Sequence, residues 1–135
     1  MPLITWDSEL SVGIREIDEQ HKKMVEIINE LHDAMYAGKG VTVLADVVRR
    51  LVDYTVMHFG TEERYFKQYD YPDSARHKNE HDGLTKKTMS LADAMQRGEN
   101  VLSVDVMQFL KDWLITHILG SDKAYAPFLN RKGLS

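Results

Sequence analysis

Apolar side chains recur at three- and four-residue steps along most of this chain, and three breaks divide that rhythm into four stretches. An irregular arm, residues 1–17, comes first and carries Trp6, Val12, Ile14 and Ile17 without a clean period. Met24, Ile27, Ile28, Leu31 and Met35 then mark a helix over about 19–37, with Asp18 as its expected N-cap and Gly38 and Gly40 as its stop. A second helix, about 42–68, has the seam Leu44, Val47, Leu51, Tyr54, His58 and contains Gly60, which costs about 1 kcal/mol relative to alanine. Asp70-Tyr71-Pro72-Asp73 reads as a turn, with Asp73 or Ser74 capping a third helix over about 74–97. That helix carries His77, His81, Leu84, Thr88, Leu91 and Met95 on one side and ends at Gly98. The fourth, about 104–122, follows Ser103 and aligns Val106, Leu110, Trp113 and His117, with Gly120 loosening its far end before Pro127.

Four amphipathic helices on short connections predict an all-α fold, an antiparallel up-down-up-down four-helix bundle with an irregular N-terminal arm. No stretch alternates with period two, and no repeat or linker interrupts residues 1–135, so a single domain is expected. Trp6 is expected to cover one end of the bundle, and Tyr125-Ala126-Pro127-Phe128-Leu129 to pack back onto it.

Composition changes this picture by exclusion. The chain has no cysteine, which removes disulfides, thiolate nucleophiles, iron–sulfur clusters and cysteine-ligated zinc. A net charge of −4 disfavours nucleic acid and anionic membrane surfaces, which reward clustered Lys and Arg. No run of about 18 apolar residues occurs, so no membrane span is expected, and a cytoplasmic location is the simplest expectation.

The candidate chemistry lies on the seams. Five of the six histidines fall on helix faces that should point inward, where an unpartnered polar group costs about 1–3 kcal/mol. One such histidine is ordinary core, but five on four helices call for a shared cause. His58 and Glu62 are four residues apart, as are His77 and His81, an offset of about 40° and 6 Å on a helix, so each pair can reach one cluster. Depth agrees as well. His21 is near the start of the first helix, His58 and Glu62 near the end of the second, His77 and His81 near the start of the third, and His117 near the end of the fourth. In an antiparallel bundle all of these lie at one end.

Asp122 lies five residues beyond His117, about 140° around an ideal helix, so it joins the cluster only through a π-bulge or loosened turn near Gly120. His32 returns to the face of His21 but about 16 Å further along, and reads as structural. Glu63, with Arg64 and Lys67, reads as a solvated face, and neither a supporting acid nor a substrate cleft is evident.

Five imidazoles and two carboxylates exceed the four ligands of one zinc and suit neither calcium nor magnesium, which prefer all-oxygen sites. Two transition ions bridged by carboxylates fit the donor count, and imidazole with carboxylate suits iron. The Glu-x-x-His motifs of carboxylate-rich di-iron bundles do not occur, which favours binding dioxygen over activating it.

The segments Asp18-Glu19-Gln20-His21, His58-Phe59-Gly60-Thr61-Glu62-Glu63, His77-Lys78-Asn79-Glu80-His81 and His117-Ile118-Leu119-Gly120-Ser121-Asp122, with Trp6-Asp7 and Val12-Gly13-Ile14 before them, resemble the bacterial hemerythrins over essentially the whole chain. The resemblance implies two iron ions joined by an oxo or hydroxo bridge. His77, His81 and His117 would bind one iron and His21 and His58 the other, with Glu62 and Asp122 bridging them. The iron with two histidines would keep an open position for dioxygen. Phe59, Trp113, Leu114, Ile118 and Met24 are candidate walls of that pocket, with ordinary core packing as the alternative. A stand-alone dioxygen carrier or store, monomeric and not an enzyme, is the expectation, with any oxygen-consuming partner protein unidentified. An oxygen or redox sensor, a di-iron peroxidase or nitric-oxide-handling enzyme, and an iron-protective protein are the alternatives.

Overall fold

A computed structural model describes residues 2–99 and 101–135; Met1, at the head of the arm, and Asn100 lie outside the described residues. Helices α1 (Arg15–Tyr36), α2 (Val41–Tyr69), α3 (Ser74–Gln96) and α4 (Val104–His117) form an all-α four-helix bundle, with no strand among the described residues. A 3₁₀ turn, Ser8–Leu10, precedes them. After α4 the chain makes a π turn, Ile118–Asp122, and continues as α5 (Lys123–Arg131). Helical structure thus runs past Asp122, and Pro127 sits on the exposed side of α5.

The start of α1 corrects the expected cap. Ile14 occupies the N-cap in an extended conformation, and Asp18 lies inside the first turn. Its carboxylate accepts instead from the Ser11 hydroxyl (2.6 Å) and the Val12 N–H (2.8 Å), which folds the arm back onto the helix. Gly13, at φ +70°, supplies the left-handed residue that this reversal needs. Further out, Asn29 exchanges two 2.9 Å hydrogen bonds with the backbone of Ile4, and Trp6 packs on the core with the Lys22 ammonium 5.7 Å from its ring centroid. At α4 the Ser103 hydroxyl accepts from the Val106 N–H, whereas Asp73 stands at the N-cap of α3 without a side-chain bond to the helix backbone.

Two apolar clusters fill the interior. The larger contains Met24, Ile28, Leu31, Leu51, Met95, Leu110, Leu114 and Ile118. The smaller contains Val12, Ile14, Ile17, Phe66, Tyr71, Tyr125 and Leu129, so the C-terminal segment does pack back onto the bundle. Along α1, Ile17 belongs to the small cluster and Met24 to the large one, with His21 between them; along α2, His58 and Glu62 stand between Val52 and Phe66. The polar seam is therefore a layer between two dry ones, which sets its dielectric surroundings and holds its backbone fixed. No helix among the described residues is long and apolar enough to cross a membrane.

Candidate metal centre

His21, His58, Glu62, His77, His81, His117 and Asp122 are all buried, none more than 5% exposed. Their donor atoms form two groups, each with all atoms within 4.8 Å of one another: Glu62, His77, His81, His117 and Asp122 in one, and His21, His58, Glu62 and Asp122 in the other. The two carboxylates belong to both groups. The structure thus brings together the six side chains singled out by spacing and level, and Asp122 joins them. His32 stays apart, half-buried against Tyr36.

Asp122 arrives by the π turn. One wider turn between α4 and α5 carries it back to the face of His117, and the two lie 3.1 Å apart (Nε2 to Oδ1). Three residues on, Tyr125 follows it inward, and its hydroxyl donates to Glu62 Oε2 at 2.5 Å with neither group exposed.

Nε2 of all five imidazoles faces a carboxylate oxygen. His21 is 3.0 Å and His77 2.9 Å from Asp122, while His58 is 3.1 Å and His81 3.2 Å from Glu62. Nevertheless Nε2 of His21, His77, His81 and His117, Oε1 of Glu62 and both oxygens of Asp122 have no hydrogen-bond partner, though all are buried. These atoms thus gather in two groups without hydrogen-bonding to one another. Leaving so many buried polar atoms unpaired would cost several kcal/mol, and a cation at each centre removes that cost. The donor chemistry, imidazole nitrogen and carboxylate oxygen without sulfur, fits a transition ion at each.

The electrostatics point the same way. Burial pushes the Glu62 carboxyl up, as does Asp122, yet His58 and His81 pull it below its ordinary value. Burial likewise opposes ionisation of Asp122, and His117, His21 and His77 overcome it. His117 is raised: burial acts against the charged ring, but Asp122, Glu62 and Glu80 outweigh it. The imidazoles around them thus offset the cost of burial and hold both carboxylates below their ordinary values.

Around this layer lie residues that the sequence did not single out. His58 Nδ1 is 2.7 Å from Gln20 Oε1, His81 Nδ1 is 2.9 Å from Glu63, and His117 Nδ1 is 2.8 Å from Glu80, which also accepts from the Ser121 hydroxyl at 2.6 Å. Glu63 is thus not merely a solvated face, and two supporting acids exist where none was evident. A signal was present: Gln20, Glu63 and Glu80 each stand beside a seam residue in the chain, and each serves a histidine of the next helix. A cleft of about 610 Å³ between α3 and α4 also reaches Glu80, Trp113 and His117. Phe59 stacks on His81 (centroids 3.7 Å apart) and Trp113 on His117 (4.5 Å). Leu114, Ile118 and Met24 are buried in the larger core cluster.

Residues 12–129 match the model of the Hemerythrin HHE cation binding domain. The bacteriohemerythrin of Methylococcus capsulatus is 36% identical over 131 residues, covering 96% of this chain and 99% of that one. The bacteriohemerythrin of Stenotrophomonas maltophilia is 36% identical over 126 residues, 93% of this chain and 81% of its own. A hemerythrin-like protein of Naegleria gruberi is 38% identical over 120 residues, 89% of this chain and 88% of its own. Among solved structures, wild-type hemerythrin superposes with a TM-score of 0.86 at 36% identity, covering 94% of this chain and 98% of that one. A variant hemerythrin superposes with a TM-score of 0.88 at the same identity, covering 96% and 98%. With a buried layer of imidazoles and carboxylates suited to metal at the level where the four helices converge, the chain belongs to the hemerythrin family.

Proposed function

We propose that this protein binds two iron ions and, through them, binds and releases dioxygen as a carrier or store. The observation that carries this reading is the set of unpartnered buried Nε2 and carboxylate atoms, which fall into two groups sharing Glu62 and Asp122. His77, His81 and His117 would hold one ion and His21 and His58 the other, with Glu62, Asp122 and a solvent-derived oxo or hydroxo bridge spanning both. The iron pair supplies reversible electron donation to dioxygen, chemistry that no side chain here provides.

The chain's own residues do the rest. Three imidazoles on one side and two on the other leave the second position with fewer protein donors, so it is the one that would take a small ligand. Leu114, Ile118 and Met24, each at most 2% exposed, and Phe59, at 4%, would keep the centre dry and exclude the solvent that promotes side reactions. Seven ligands carried on four packed helices are preorganised, so ligand exchange need not unfold the site.

The test is anaerobic: reduce the iron-loaded protein, admit dioxygen, record the visible spectrum, purge with argon and record it again. A band that appears with oxygen and vanishes on purging, over several cycles, supports a carrier. A single irreversible change would reject it in favour of a redox sensor or an oxidase-like activity.

A further inference from the structure

Three of the five imidazoles, His58, His81 and His117, have a hydrogen-bond partner at the outer nitrogen, and these partners are not alike. On the three-histidine side, His81 Nδ1 meets the Glu63 carboxylate and His117 Nδ1 meets the Glu80 carboxylate. On the two-histidine side, His58 Nδ1 meets a neutral amide oxygen, Gln20 Oε1, and His21 Nδ1 is buried with no partner. The amide orientation is fixed, because Gln20 Nε2 donates to the Thr61 hydroxyl oxygen at 3.2 Å, which turns Oε1 toward His58. With Nε2 aimed inward, Nδ1 of His58, His81 and His117 carries the proton and donates outward.

A carboxylate accepting the Nδ1 proton adds electron density to the imidazole and strengthens it as a donor; an amide oxygen does so far less. Both carboxylates reach the surface, Glu63 at 30% and Glu80 at 35% exposure, so neither carries the full cost of burial. We infer that Glu63 and Glu80 are positioning residues that make the His77–His81–His117 half of the centre the more electron-rich half, so that the two metals differ in reduction potential. This rests on the two-iron reading above. It assigns an order to electron uptake: the two-histidine position is reduced first, and the carboxylate-supported position last.

The experiment is a potentiometric titration of the full, iron-loaded chain under argon, with the half-reduced form followed by paramagnetic resonance. Two one-electron steps are expected. Glu63→Gln and Glu80→Gln should each raise the lower step by about 59 mV, a tenfold change for one electron, and leave the upper step nearly in place. Gln20→Glu should instead lower the upper step. Glu80→Asp should restore most of the wild-type value. Asp82→Asn removes a carboxylate of α3 that pairs with Lys78 and not with an imidazole, and measures the effect of charge alone. Equal movement of both steps, or movement no larger than in Asp82→Asn, would overturn the assignment. So would loss of iron from both glutamine variants without a shift, which would make the two acids structural props.

A second readout does not depend on iron redox chemistry. In the zinc-substituted protein, the Nδ1 protons of His81 and His117 should resonate downfield of that of His58, and coincident positions would refute the asymmetry. Neither readout requires oxygen release, so a protein that holds two irons but never frees dioxygen would sink the carrier reading and leave this test standing.

Discussion

His77 and His117 each offer Nε2 to the same oxygen of Asp122, at 2.9 and 3.1 Å, and both belong to the group with three imidazoles. Truncating either leaves Asp122 with one neighbouring imidazole fewer and removes one donor from the fuller position. Iron content of purified His77→Ala and His117→Ala should accordingly drop from two ions per chain toward one or none; retention of two tightly held irons would contradict the ligand assignment. His32 lies outside both groups, so His32→Ala should keep two irons by the same assay. These single-residue expectations were legible from spacing, because a four-residue offset on a helix fixes which side chains share a face. The partners of the histidines were not. Gln20 reaches His58 across 38 positions of sequence and Glu80 reaches His117 across 37, and no local period encodes a contact between two helices.

The elements follow from patterning that the structure largely keeps, with irregularity concentrated where the site requires it. α2 is continuous through Gly60, and nothing lies within 4 Å of the position a Cβ would take there. Gly60→Ala should therefore stabilise the fold by about 0.5–1 kcal/mol, since alanine loses less backbone entropy and meets no clash; denaturant unfolding of the metal-free protein checks this, and a destabilised variant would mean that α2 needs local freedom. The opposite case is the π turn Ile118–Asp122. A five-residue separation places His117 and Asp122 on different faces of an α-helix, so only the widened turn lets one strand of sequence supply both. Its presence near Gly120 was a requirement that the cluster imposed on the sequence, not something the periodicity of the fourth stretch displayed.

At the scale of the whole molecule, a polar layer rests between two apolar clusters and is held there by every helix of the bundle. Its unpartnered atoms make the folded state of the metal-free chain costlier than that of the loaded one, so binding free energy adds to folding free energy. Removing metal with a chelator should lower the thermal midpoint by several degrees: about 2.7 kcal/mol accompanies a hundredfold excess over the dissociation constant, and each 1 kcal/mol moves a domain of this size by a few degrees. Calorimetry of stripped and iron-loaded protein decides this, and identical midpoints would show that the layer is satisfied without an ion. The sequence by itself determined four helices, their inward faces and the common depth of five histidines and Glu62, because the 3.6-residue period sets direction and short connections set level. Only the tertiary structure decided the return of Asp122, the hydroxyl of Tyr125 on Glu62, the carboxylate and amide partners of the imidazoles, and the cleft beside Trp113 and His117. Those features depend on how each helix is rotated and spaced against its neighbours, which is settled by packing among residues far apart in the chain.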